Sequence, residues 1–301
     1  MEIRFEKGEN CSISDNTEVN ITTYQNGKVK VKDIGHKNTK IGNLRKGKNN
    51  TYIDIETGEI KEYKKMEFKT TKNIRRCINT RIRPLLENNF FGGKNEIFVT
   101  FTFTKDMPDF NKVSCYFDKF WKRLTRKYAG TYNLACVYVK ELQQTRNSWH
   151  IHTLIKDLDG KELFIPRDTM IKIWKYGTSV GISRVLSGID TSYDIINEEK
   201  RLNENFFIST EKRHISKLIN YMCKLYTKDV LIPSSGKLYG VKGGLNPPEK
   251  QVMQYGELYK KIQDTHRLVD EETLVLRETE SNNIINYVHN QKWIPNPKKI
   301  K

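Results

Sequence analysis

Two runs of strand character, Leu134–Gln144 and Trp149–Ile155, are separated only by the loop Thr145–Ser148. So short a connection admits a hairpin and nothing else, because parallel strands need a crossover of a dozen residues or more. Upstream, Ile97–Thr104 (IFVTFTFT) alternates Phe with Thr, which gives a strand with one apolar and one polar face. Between them, Lys112–Tyr128 repeats Val113, Tyr116, Phe117, Phe120, Trp121 and Leu124 at helical spacing, with Lys and Arg on the opposite face. Strands and helices interleaved around an antiparallel hairpin predict an α+β fold. Its simplest form is a central antiparallel sheet with helices packed on one face.

The remaining pattern extends this frame. Asn73–Asn88 reads as an amphipathic helix, and Pro84 within it predicts a kink or two helices. Arg167–Tyr176 and Lys212–Lys228 read as helices, Val180–Leu186 as a strand, and Thr51–Tyr63 as a hairpin across a Thr-Gly turn. Residues 1–50 read as loops with one short strand, Gly27–Asp33. Pro233, the glycines from Gly236 to Gly244 and the Pro247-Pro248 pair mark the end of the compact unit. Three segments follow: a basic N-terminal extension (1–50), a central domain (51–248) and a C-terminal extension (249–301).

Charge narrows the partners. The chain carries 53 Lys and Arg against 36 Asp and Glu, a net +17 over 301 residues, which favours a polyanion. The excess is uneven: Lys28–Arg83 holds 17 basic and 6 acidic residues, whereas Glu249–Lys301 holds 9 and 8. The basic residues on the predicted helix faces, Arg75, Arg76, Arg81, Lys122, Arg123 and Arg126, are candidates for DNA contact. A solvated surface is the plainer explanation of any single charge run. No run approaches the roughly 20 apolar residues of a membrane span. The first residues lack an apolar signal core, and the five cysteines form no CxxC pair, so a reduced, cytoplasmic protein is expected. Phosphate-loop, nucleophile-elbow, HExxH and dinucleotide fingerprints are absent from the sequence.

One strand carries His150-Ile151-His152, so both imidazoles face one side and Ile151 the other. If the hairpin is centred between Arg146 and Asn147, Glu141 lies opposite His152 and Gln143 opposite His150. A carboxylate beside two neutral imidazoles is a mixed N/O site suited to Mg²⁺ or Mn²⁺. Otherwise Glu141 is an exposed strand carboxylate paired with Lys140 or Lys156. On the helix Lys212–Lys228, Tyr221 and Lys224 share a face. An ammonium and a metal-bound phosphate would favour the phenolate of a tyrosine whose ordinary pKa is about 10. Tyr226 lies about 140° around the helix from Tyr221, which argues against a second nucleophile at one centre. His214 reads as a surface or capping residue.

In sequence order, FVTFTF, a Glu nine residues before WHIHTLI, and a helix bearing YMCK resemble the rolling-circle replication initiators of the HUH endonuclease superfamily. The replication endonucleases of small bacterial plasmids and filamentous phages look most similar. YIDIETGEIKEY, LLENNF (85–90), Asp118–Leu124 and GLNPP (244–248) extend the likeness to about two-thirds of the chain. The resemblance implies a ferredoxin- or RRM-like antiparallel sheet with the histidines on a middle strand. It implies Glu141, His150 and His152 as metal ligands, Tyr221 as nucleophile and Lys224 as its companion. The activity implied is nicking of one strand at a single-stranded or hairpin origin through a 5′-phosphotyrosyl bond, leaving a 3′-OH for a host polymerase. Without an attached helicase, unwinding would fall to a host protein. A relaxase orders its tyrosine before the histidines, and a compact transposase is far shorter. From another class, a non-catalytic single-strand binder would stack bases on Phe101 and Phe103.

Overall fold

The computed structural model describes residues 3–8, 12–35, 44–48, 51–55, 57–62, 67–107, 109–143, 147–177, 180–186, 209–224, 232–278, 282 and 284–297. The chain divides into two compact units. Met1–Lys65 and Pro248–Lys301 form the first, and Met66–Pro247 the second. The second boundary falls within a residue of the expected one. The first lies later than residue 50, because the hairpin predicted at 51–63 pairs with a strand that precedes it.

In the first unit, β1 (Ile3–Gly8), β2 (Glu18–Thr23) and β3 (Val29–Ile34) come from the N-terminal stretch. A separate small sheet joins β4 (Leu44–Lys46), β5 (Thr51–Asp54) and β6 (Ile60–Glu62). Residues 1–50 therefore hold four strands rather than the single strand expected. Their partners lie at the far end of the chain. In the six-stranded sheet, β13 (Glu249–Gln254) borders β2, while β14 (His266–Glu278) and β15 (Ile284–Pro295) sit between β1 and β3. Val19, Ile21, Val29, Val31 and Trp293 form its small core with the helix Tyr255–Ile262.

The second unit begins with α1 (Thr71–Cys77), a single π turn (Ile78–Ile82) and α2 (Arg83–Asn89). The Thr70 hydroxyl caps α1 by accepting from the Asn73 amide. Pro84 has no N–H to give the carbonyl of Thr80, and the chain widens into the π turn just before it. Strands β7 (Glu96–Phe101), β8 (Leu134–Gln143), β9 (Ser148–Asp157), β10 (Val180–Leu186), β11 (Ser209–His214) and β12 (Tyr239–Lys242) make one sheet. The order is β11-β10-β7-β9-β8-β12, antiparallel except for the β10–β11 pair. The histidine strand is thus central. The expected helix 212–228 begins only at Ile215, because Ser209–His214 extends as the edge strand. His214 is that strand's exposed last residue.

Helices cover both faces of this sheet, not one. The helix α3 (Phe110–Lys127), capped by Asp109, sets Phe117 and Phe120 against Phe101, and α4 (Arg167–Trp174) adds Trp174. Phe98 is three positions from Phe101 and so faces the other way, towards Tyr221 of α5 (Ile215–Lys224). Double coverage explains why β7 and β9 are buried along nearly their whole length.

Two motifs far apart in sequence meet in this unit. The Asn88 and Asn89 side-chain amides both donate to the Asn246 carbonyl, at 2.9 and 2.8 Å. LLENNF is thereby fastened to GLNPP. The thiols of Cys77, Cys136 and Cys223 are all pushed up by burial, Cys223 to about 11, whereas Cys115 is exposed on α3. Only the thiolate attacks an alkylating reagent. Mass spectrometry of a brief iodoacetamide treatment at pH 7.5 should therefore find Cys115 modified before these three. Faster labelling of Cys136 or Cys223 would contradict this packing.

Candidate active site

The hairpin decides where the chemistry can gather. Its register is Leu134↔Asp157 through Gln143↔Ser148, so Glu141 lies opposite His150, and Val139 opposite His152. This is two residues from the expected pairing. The parity is unchanged, so Glu141, His150 and His152 still share one face while Ile151 is fully buried on the other. The Glu141 carboxylate reaches diagonally to the central histidine, with Oε2 2.7 Å from His152 Nε2. Neither alternative lysine takes it: Lys140 is buried over the Phe110 ring with its pKa pushed down to about 8 by burial, and Lys156 lies against Glu96.

A helix from 70 residues later completes the group. Tyr221 on α5 donates its hydroxyl to Glu141 Oε2 at 3.2 Å and stands 3.4 Å from His152 Nε2. The stripe Ile215, Leu218, Ile219, Met222 and Cys223 buries one side of α5 and turns Tyr221, only half-buried, to the sheet. Its ring meets His152 edge-on at 5.2 Å. Three elements therefore converge within hydrogen-bond range of one carboxylate oxygen.

Two residues that the sequence reading missed hold His152. Phe98 stacks on the imidazole, 5.9 Å between centroids and 8° from parallel. Thr100, directly across the β7–β9 ladder, places Oγ1 3.1 Å from Nδ1. A hydroxyl can donate or accept, so Thr100 suits either tautomer. With Nδ1–H donated to Thr100, Nε2 keeps its lone pair for a metal; with Nε2–H donated to Glu141, Nδ1 accepts from Thr100. The signal was present in the period of two, since Phe98 and Thr100 occupy alternate positions on the histidine face.

The donor set suits a hard divalent cation in part. A carboxylate oxygen and an imidazole nitrogen 2.7 Å apart can address one ion, and His150 faces the same side across from Glu141. Among the described residues, no group of three or more His, Cys, Asp or Glu side chains is gathered as a metal cluster. Lys224 stands in the exposed last turn of α5, and Tyr226 lies outside the described residues.

The predicted DNA-contact residues separate. Arg75, Arg76 and Arg81 are exposed on α1 and the π turn. Lys122 and Arg126 are exposed on α3, whose packing side covers the sheet face opposite Tyr221. Arg123 is not available: Nε and Nη2 donate to the carbonyls of Ile173 and Trp174 at 2.9 and 3.2 Å, and its guanidinium lies over Tyr176. It caps the end of α4, where carbonyls lack helical partners. Arg123→Ala should cost about 1–2 kcal/mol in urea unfolding, the scale of charge-assisted hydrogen bonds, with DNA affinity unchanged. Wild-type stability would refute the capping role. Phe101 and Phe103 are 0% and 2% exposed, so neither can stack a base.

Among the described residues no helix is long and apolar enough to cross a membrane. No curated protein and no solved structure matches the chain. Residues 96–230, a little under half of the chain, match the model of a family of replication-associated proteins, the ORF2 type. That segment runs from the start of β7 past α5 and contains Glu141, His150, His152 and Tyr221, so the part of the chain that builds the site is the part similar to a replication-associated protein.

Proposed function

We propose that the second unit is a metal-dependent, site-specific single-strand DNA nickase and strand transferase that initiates rolling-circle replication. The observation that carries the reading is the Tyr221 hydroxyl, 3.2 Å from Glu141 and 3.4 Å from His152 on the adjoining strands. A phenol is a poor nucleophile near neutral pH, and a lone carboxylate cannot deprotonate it, their ordinary pKa values being about 6 units apart. A cation at the same carboxylate closes that gap. Glu141, His152 and His150 would hold Mg²⁺ or Mn²⁺, which when bound polarises a phosphate oxygen and favours the phenolate. Lys224, one helical turn from Tyr221, would add positive charge near the phosphate.

In the reaction, Tyr221 Oη attacks phosphorus and loses its proton towards Glu141 and solvent. The P–O3′ bond breaks, and the departing oxygen takes a proton to become a 3′-OH. The 5′-phosphate stays on the tyrosine. A later 3′-OH reverses the step and rejoins the strand. The 3′-OH primes a host polymerase, and a host helicase opens the duplex ahead. The family match over residues 96–230 supports the replication role. The direct test incubates the protein with Mn²⁺ and single-stranded oligonucleotides from its own replicon, then looks for a band shifted by covalently attached DNA in denaturing gels. Absence of an adduct across the whole replicon sequence, on both strands, would overturn the nickase reading.

A further inference from the structure

A cleft of about 1120 Å³ opens in the second unit between α1 with its π turn and the strand β12. It is separate from the tyrosine group, and its lining is unlike that of a small-molecule pocket, which is mostly apolar. Lys69, Arg76, Arg81, Lys237 and Lys242 surround it, and Asp118 is the single carboxylate in its wall. Asp118 is engaged by Lys242 at 2.7 Å, so the remaining four cations face the cleft without a counter-charge from its own wall. Hydroxyls of Thr80, Ser114 and Ser234 add neutral donors.

Two more features favour an extended, phosphate-bearing chain. First, β12 ends the sheet: it pairs with β8, and among the described residues no strand borders its outer side. Its outward backbone N–H groups are donors of the kind that phosphate oxygens accept. Second, the aromatic rings of Phe68 and Tyr239, both half-buried, lie in the same wall. Cations along a groove together with aromatic faces are how proteins hold single strands without reading sequence. The register Tyr239↔Val139 sets this edge two positions from Glu141 along β8, roughly 7 Å at the usual rise per residue.

We infer that this cleft is a second DNA-binding site, one that grips the phosphodiester backbone of single-stranded DNA next to the nicking centre. The inference rests on the nickase reading for the identity of the polyanion. It also divides the exposed basic residues, since Arg76 and Arg81 line the cleft whereas Lys122 and Arg126 do not.

The test uses the full chain and a fluorescein-labelled, mixed-sequence single-stranded 20-mer, with anisotropy read from 50 to 250 mM NaCl without divalent metal. Arg76→Ala/Arg81→Ala should bind about tenfold more weakly at the low-salt end, with the log–log salt slope reduced by about 1.4, at about 0.7 for each phosphate left without its cation. Lys237→Gln, on an exposed loop, should lose about half as much slope and answers if the double variant fails to fold. Lys122→Ala/Arg126→Ala should bind as wild type. Unchanged slope and affinity in both cleft variants would overturn the proposal, as would tighter wild-type binding to a duplex of the same sequence than to the single strand. The nickase reading fails separately, if wild type forms no adduct while the cleft variants still lose binding.

Discussion

Tyr221→Phe is expected to bind single-stranded origin DNA as tightly as wild type and to form no covalent adduct, a loss of at least about a thousandfold on the scale of removing a nucleophile. The substitution keeps the ring that meets His152 edge-on and Phe98 at 6.3 Å. Only the hydroxyl and its hydrogen bond to Glu141 go, which costs about 1 kcal/mol of stability. Fold and binding therefore serve as internal controls for the chemistry. Denaturing gels after incubation with labelled origin DNA and Mn²⁺ read the outcome. An adduct that survives in Tyr221→Phe would move the nucleophile to another residue, Tyr226 being the nearest tyrosine in sequence.

His152→Ala and Glu141→Gln should each reduce nicking by at least about a hundredfold, because each removes a proposed metal ligand and a group that touches the Tyr221 hydroxyl. The two roles separate by titration. A variant that has lost a ligand shifts the Mn²⁺ dependence upward, whereas one that has lost only a hydrogen bond keeps the midpoint and lowers the plateau. Thr100→Val probes the outer layer. It removes the partner of His152 Nδ1 while keeping the shape, and a loss of about 10–100-fold is the scale known for such supporting groups. Salt-sensitive DNA binding should stay near wild type in all three. Wild-type nicking by both His152→Ala and Glu141→Gln, or by wild type in excess EDTA, would rule out the metal site.

The alternation of IFVTFT and WHIHTLI was enough to pair the strands and to put Glu141 and both histidines on one face. The register itself was two residues off, because alternation fixes parity only, while the absolute offset is set by the loop conformation after Gln143. Tyr221 stood out through its helix stripe, yet its contact with Glu141, 80 residues away, has no local trace. Arg123 was read as a free cation for the same reason: a side chain that caps another helix looks, in sequence, like one that faces water. Phe98 and Thr100 were legible in principle, since both lie on the histidine face, but their value appears only once β7 is known to neighbour β9. The N-terminal strands were the least legible. VKVKDI alternates well enough, but its sheet partner in β15 is some 250 residues distant.

The second unit is, in connectivity, an insertion between two halves of the first. Asp33 of β3 accepts a hydrogen bond from Tyr287 of β15 across 254 residues of intervening chain. A ribosome making this protein therefore releases β1–β3 long before β14 and β15 exist. The nicking unit, whose residues are contiguous from Met66 to Pro247, is fully synthesised first. Its folding can bring Met66 and Pro247 towards each other through the Asn89–Asn246 clasp and so shorten the search by which the two halves of the other sheet meet. Order of synthesis thus gives the inserted unit a chaperone-like duty towards the terminal one, which cannot close its six strands until the last residues emerge.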